Sequence, residues 1–98
     1  MNFLLACDVS EEIIQKILTN NSKQTLLAAE WNIERIVSSL AYLEEIGITQ
    51  INKILINRFD ILLRGRQELE KSFNSLDVEN VVDMINKDIK YIYYLDCY

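Results

Sequence analysis

Apolar residues recur at spacings of three and four along most of this chain, which is the pattern that places them on one face of an α-helix. The first periodic stretch has its apolar positions at Ile13, Ile14, Ile17 and Leu18. Asp8 or Ser10 can cap a helix at this position, because their side-chain oxygens accept first-turn N–H groups. Ser22 stands in the same relation to the stretch that follows. The sequence therefore predicts a helix up to about residue 20 and a second one after Ser22.

The longest periodic stretch runs over residues 23–46 and predicts the longest helix, with an interruption near Ala28-Ala29. Its inward stripe is predicted at Ile33, Ile36, Val37, Leu40 and Leu43. Trp31 is predicted to be a large core residue or an interface anchor. The alternative is a contact between its indole ring and the guanidinium of Arg35, one helical turn later.

One helix ends and another begins within residues 41–63, AYLEEIGITQINKILINRFDILL. Gly47 is predicted to end the first helix in a left-handed conformation, which glycine adopts without a Cβ clash. Thr49 is predicted to cap the helix that follows. Asn57 and Asp60 indicate a further break before another short apolar segment.

The last third of the chain repeats this organisation. Residues 64–66 predict a loop, residues 67–74 a short helix, and Asp77 the start of a further helix. A final segment begins near Asp88. A shift of 30 residues places the apolar positions after Gly47 on those after Asp77, and a backward shift of 37 residues places them on the first helix.

This pattern predicts an all-α fold, with residues 1–98 forming a single domain of five or six helices. The helices are predicted to stack as two to three repeat-like units. The core is predicted to include Ile17, Leu40, Leu43, Ile51, Ile54, Leu55, Val81 and Ile85. Two glycines and no proline in 98 residues also favour helices over a β-sandwich with many turns.

The residue types argue against catalysis. The chain has no histidine, the usual acid–base group near neutral pH. It contains neither a glycine-rich phosphate loop nor a GxSxG turn. Adjacent carboxylates such as Glu44-Glu45 do not converge on a helix. We therefore predict a non-catalytic protein with no cofactor and no metal site.

The two cysteines, Cys7 and Cys97, lie at opposite ends of the chain, and neither belongs to a CxxC pair. Free thiols in a reducing cytoplasm are predicted, and a disulfide between the two is the alternative. No stretch approaches the roughly 20 apolar residues of a membrane span. A net charge of −5 also disfavours attachment to anionic lipid. A cytoplasmic location without membrane contact is predicted.

The C-terminal segment is rich in tyrosine, a residue type that is favoured at interfaces. On a helix, Tyr91, Tyr94 and Tyr98 are expected to cluster on one side, with Tyr93 turned inward. These three tyrosines are predicted to bind a protein partner or a second copy of the chain. The alternative is that the segment packs over the core.

A basic stretch provides the alternative function. Residues 53–71 hold a net charge of +2, and the cations are Lys53, Arg58, Arg64, Arg66 and Lys71. They can contact phosphates or an acidic partner, or they can pair with the acidic remainder of the chain. Because the whole chain is acidic, we predict a small protein-interaction module, with nucleic-acid binding through these cations as the alternative.

The phrase LEEIGITQINKILINRFDILL resembles the helical repeat of the mitochondrial transcription termination factor family. That repeat reads as a leucine-spaced helix, LG, a capping residue, I..IL, then proline and LL. SEEIIQKIL and VENVVDMI resemble partial copies, so the resemblance spans residues 8–95. Asn21, Phe59 and Ile89 stand near positions where the family most often has proline. The resemblance implies a right-handed stack of helical triplets, whose concave face in the family often contacts nucleic acid.

Overall fold

The computed structural model describes residues 2–97, apart from the side chains of Tyr94, Asp96 and Cys97. Over these residues the chain is all-α, with seven α-helices, two 3-10 helices and no strand. The α-helices are α1 (Asn2–Ala6), α2 (Glu11–Asn20), α3 (Lys23–Trp31), α4 (Ile33–Glu45), α5 (Ile51–Asn57), α6 (Arg66–Asn74) and α7 (Val78–Lys87). The 3-10 helices are η1 (Phe59–Arg64) and η2 (Ile89–Cys97). The predicted fold class is confirmed.

The helix count exceeds five or six because α1 precedes the first predicted helix and the long predicted helix is divided. The division falls at Asn32 and not near Ala28-Ala29. The Asn32 backbone (φ −131°, ψ 38°) is not helical, and its N–H donates to the Ala29 carbonyl at 3.1 Å. Its side-chain Nδ2 donates to the Ala28 carbonyl at 2.8 Å. An asparagine amide thus competes for the carbonyls that would have continued α3.

Two helix starts form as the sequence predicts. Ser10 Oγ accepts the N–H of Ile13 at 3.3 Å, and Ser22 Oγ accepts the N–H of Thr25 at 3.2 Å. Each hydroxyl satisfies a backbone donor that has no partner within its own helix. The serines therefore determine where α2 and α3 begin.

The turns after α1 and α4 share one hydrogen-bond pattern. The N–H of Val9 donates to the Leu4 carbonyl, and the N–H of Ile48 donates to the Leu43 carbonyl, both at 3.0 Å. These bonds close the C-terminal motif in which the chain folds back over the last helical turn. All four side chains are buried, as is common for the apolar residues that flank this motif.

Each of these turns needs a residue with positive φ. Gly47 has φ 94°, as predicted, and Asp8 takes the same role with φ 65°. The prediction that Thr49 caps α5 is wrong. The N–H of Thr49 donates to Oδ1 of Asn86 at 2.8 Å, and α5 begins after Gln50 without a side-chain cap.

The core lies where α2 packs on α5, α4 packs on η1 and α6, and α7 packs on η2. The predicted core residues are buried except Ile51, which is half-buried. Three positions that were predicted to face inward are instead exposed, namely Leu18 at 38%, Ile33 at 37% and Val37 at 39%. The buried side of α4 consists of Ile36, Ser39, Leu40, Tyr42 and Leu43, so Ile33 and Val37 lie at its edge and not at its centre.

Candidate functional site

Two arginines of the predicted nucleic-acid surface, Arg58 and Arg64, form hydrogen bonds to other residues of the chain. Arg58 donates from Nε and Nη2 to the two carboxylate oxygens of Asp60, both at 3.2 Å. Arg64 donates from Nη1 to the carbonyl oxygen of Leu95 at 3.2 Å, which ties η1 to η2. Both guanidinium groups therefore contribute to the fold itself.

Arg66 joins α4 to α6. Its Nη2 lies 2.8 Å from Oε2 of Glu45, and its Nε donates to Oε1 of Glu70 at 2.8 Å. The guanidinium also lies over the Tyr42 ring, 5.4 Å from its centroid, and that ring meets Phe73 edge to face at 5.9 Å. Hydrogen bonds to Glu70 and Glu45 raise the pKa of Arg66 above its ordinary value. Arg66 is thus a charged link between two helices.

A cleft of about 760 Å³ lies beside these arginines. Arg35, Arg64 and Arg66 line it together with Glu34 and Glu68. Of the predicted phosphate contacts, Lys53, Arg58 and Lys71 are not among the lining residues. The structure therefore brings two of the five predicted cations together, adds Arg35, and places carboxylates between them.

The tyrosine segment adopts a different arrangement from the one predicted. In η2 the repeat is about three residues per turn, so Ile89, Ile92 and Leu95 form its inward side. Tyr91 packs against the core, and Tyr93, which was predicted to turn inward, is 49% exposed. The Tyr94 side chain and all of Tyr98 lie outside the described residues.

A contiguous run of exposed apolar side chains lies elsewhere, on α3 and α4. Trp31 is 85% exposed at the end of α3, and Leu27, one turn earlier, is 56% exposed. Ile33 and Val37 follow on the outer side of α4, with Ala41 exposed one turn further on. We refer to these five residues as the Trp31 face. The expectation that Trp31 belongs to the core is wrong, while the expectation of an interface anchor stays a prediction.

Two shallow clefts lie at the ends of this face. The first, the Trp31 cleft, has a volume of about 310 Å³ and is lined by Trp31 and Ile33. The second, the Val9 cleft, has a volume of about 370 Å³ and lies between the turn after α1 and helices α4 and α5. Val9, Val37 and Ile51 are among its lining residues. The half-burial of Ile51 follows from its position on the wall of this cleft.

Outside these surfaces, the described residues include few groups that indicate a particular ligand or reaction. Cys7 is a free, half-buried thiol, while the Cys97 side chain lies outside the described part. Among the side chains that the structure describes, which leave out Asp96 and Cys97, no three acidic or cysteine groups are placed to share a metal ion. No helix of the described part has the length and apolarity needed to cross a bilayer. Comparison with protein-family models, with curated proteins and with solved structures found no match to this chain.

Proposed function

We propose that this chain is a non-catalytic protein-interaction module that binds its partner through the Trp31 face. The observation that supports this proposal is the 85% exposure of Trp31 in a chain whose other large side chains mostly pack inward. Tryptophan is among the residue types that most often dominate binding energy, because it buries a large area at low entropic cost. A run of neighbouring exposed apolar side chains is typical of an interaction site.

The Trp31 face supports this function better than the tyrosine segment does. Tyr91 already contacts the core, so its ring has less area left for a partner. Trp31 and Leu27 retain most of their surface. The predicted partner contacts of Tyr91, Tyr94 and Tyr98 stay a prediction, because the Tyr94 side chain and all of Tyr98 lie outside the described residues.

Nucleic-acid binding, the function that the family resemblance implies, is the alternative. Its support is the convergence of Arg35, Arg64 and Arg66 on one cleft. Two of these guanidinium groups have internal partners that a phosphate would have to displace. A net charge of −5 opposes the approach of a polyanion. We expect labelled oligonucleotides to bind only weakly, with any binding lost by about 150 mM salt.

The proposed function is tested by comparing protein capture from an extract of the native organism. The wild-type chain, Trp31→Ala and Tyr93→Ala are immobilised in equal amounts, after circular dichroism has shown that each is folded. Tyr93→Ala is the matched control because it also removes an exposed aromatic ring. Wild type and Tyr93→Ala should retain a protein that Trp31→Ala loses. Equal capture by all three chains would contradict the role of Trp31.

The wild-type chain and a variant with Arg58, Arg64 and Arg66 changed to alanine, shown by circular dichroism to be folded, test the alternative function. Fluorescence anisotropy with labelled single-stranded and duplex oligonucleotides measures nucleic-acid affinity at physiological salt. Sub-micromolar binding that is abolished by changing Arg58, Arg64 and Arg66 to alanine would favour nucleic acid as the ligand. Weak binding that these changes leave unaltered would support the interaction module.

A further inference from the structure

We infer that the partner on the Trp31 face is a basic amphipathic helix and not a second copy of this chain. The inference rests on the proposed function and specifies the chemistry of the partner. It is carried by the shape of the Trp31 face and by the charges that line its two clefts.

The shape of the face matches one side of a helix. Ile33, Val37 and Ala41 recur every fourth residue, so they form a line along α4 of about 12 Å. The Trp31 cleft lies at one end of this line and the Val9 cleft at the other. A partner helix of about three turns, with large apolar side chains one turn apart, can lie along α4 and place a side chain in each cleft.

The charged residues that line the two clefts are mainly acidic. Glu30, Glu34 and Arg35 line the Trp31 cleft. Asp8 and Glu44 line the Val9 cleft. Among the described residues that line these two clefts there are thus four carboxylates and one guanidinium. Cationic side chains beside the apolar stripe of a partner helix therefore meet a complementary edge.

The same charges disfavour a second copy. In a symmetric contact between two copies the same surface is used twice, so the carboxylates of the two clefts would face the cleft carboxylates of the second copy. Each copy also carries a net charge of −5. Like charges opposed across an interface are unfavourable, whereas lysine or arginine on a partner helix pairs with them.

Selection from a random peptide library tests the chemistry of the partner. A display library of 16-residue peptides is selected on the wild-type chain at low salt and counter-selected on Trp31→Ala. We expect enrichment of lysine and arginine together with apolar residues at spacings of three and four. Enriched sequences that are acidic or uncharged would overturn the inference while leaving the proposed function intact. Failure to enrich any sequence whose binding depends on Trp31 would also overturn the inference. The proposed function would then be tested separately, by the capture of proteins from the extract.

A selected peptide then tests the electrostatic argument directly. Trp31 is the single tryptophan of the chain, so its emission reports binding without a label. The double change Glu34→Gln and Glu44→Gln should weaken binding by about three- to tenfold at low salt. Glu79→Gln, an exposed carboxylate on α7 that lines neither cleft, is the matched control and should leave the affinity unchanged. If the double change and the Glu79 control lower the peptide affinity equally, the carboxylates of the two clefts do not pair with the cations of the peptide.

Sedimentation of the chain alone tests whether a second copy of the chain binds to the Trp31 face. We expect a monomer at tens of micromolar, and Trp31 emission that does not change with concentration. A dimer that Trp31→Ala dissociates and Tyr93→Ala leaves intact would overturn the inference, because a second copy would then occupy the face.

Discussion

The side chain of Asn86, on α7, holds the backbone of the turn at Gly47. Its Nδ2 donates to the Gly47 carbonyl oxygen at 2.9 Å, and its Oδ1 accepts the N–H of Thr49 at 2.8 Å. Gln50 donates from Nε2 to the backbone carbonyl of Asn86 at 2.9 Å, so the two segments are bonded in both directions. One amide therefore fixes the turn that precedes α5, and it does so from a distant part of the chain.

Asn86→Ala is expected to lower the free energy of unfolding by about 1–2 kcal/mol, because two hydrogen bonds are lost and the turn groups lose their protein partner. Asn80→Ala is the matched control on the same helix, since its amide donates only locally, to Asp77 at 3.1 Å, among the contacts described. Urea unfolding of both variants measures the difference. Equal, small losses would show that the turn at Gly47 does not depend on Asn86.

The two residues with positive φ should respond to substitution with opposite signs. Asp8→Gly removes a Cβ from a left-handed position, and the relieved strain stabilises the fold by about 1–2 kcal/mol. Glycine also makes the unfolded chain more flexible, which opposes this gain, so the free energy of unfolding should rise by about 0.5–1 kcal/mol. Gly47→Val introduces the strain and should cost at least about 1 kcal/mol. Gly47→Ala separates backbone strain from crowding, because a Cβ there would lie 3.9 Å from Val82, an ordinary contact. Thermal unfolding that changes in the same direction for Asp8→Gly and Gly47→Val would contradict the shared turn.

The features that sequence predicts correctly depend on neighbours along the chain. Ser10 and Ser22 cap their helices because the acceptor and donor are three residues apart. Gly47 adopts a positive φ because a helix ends there. The positive φ of Asp8 was not predicted, although asparagine and aspartate also tolerate this conformation.

The features that sequence misses depend on distant partners. Thr49 does not cap α5, because that helix begins at Ile51 with Gln50 in the N-cap position, and the turn before it is held from α7 by Asn86. Ile33 and Val37 have the spacing of an inward stripe, but the buried side of α4 also includes Ser39, whose hydroxyl donates to the Leu62 carbonyl at 2.9 Å. A buried serine with a partner 23 residues away has no signal in the apolar pattern, so the predicted stripe is centred on the wrong residues.

The core prediction is tested at Ile54, which is 1% exposed in α5. Ile54→Ala should lower the free energy of unfolding by about 2–5 kcal/mol, because the lost side chain leaves a cavity in a packed core. Ile56→Ala, at a half-buried position on the same helix, is the control and should cost clearly less. If the two losses are alike, the inward side of α5 has been assigned incorrectly.

Alkaline pH should destabilise the fold through Tyr42. Burial raises the pKa of Tyr42 above its ordinary value of 10.0, the carboxylates of Glu70 and Glu45 raise it further, and the guanidinium of Arg66 opposes them. Above about pH 10 the unfolded chain therefore loses this proton while the folded chain still retains it. Because the folded state then binds more protons, stability falls as the pH rises through this range.

Tyr42→Phe isolates that contribution. The phenylalanine ring can keep the contacts with Arg66 and Phe73 but has no proton to lose. Chemical unfolding between pH 8 and 11 should give wild type and Tyr42→Phe parallel stabilities up to about pH 9.5, with wild type losing more stability above it. If Tyr42→Phe declines as steeply as wild type, the alkaline loss arises elsewhere, and the burial of Tyr42 is not what limits stability at high pH.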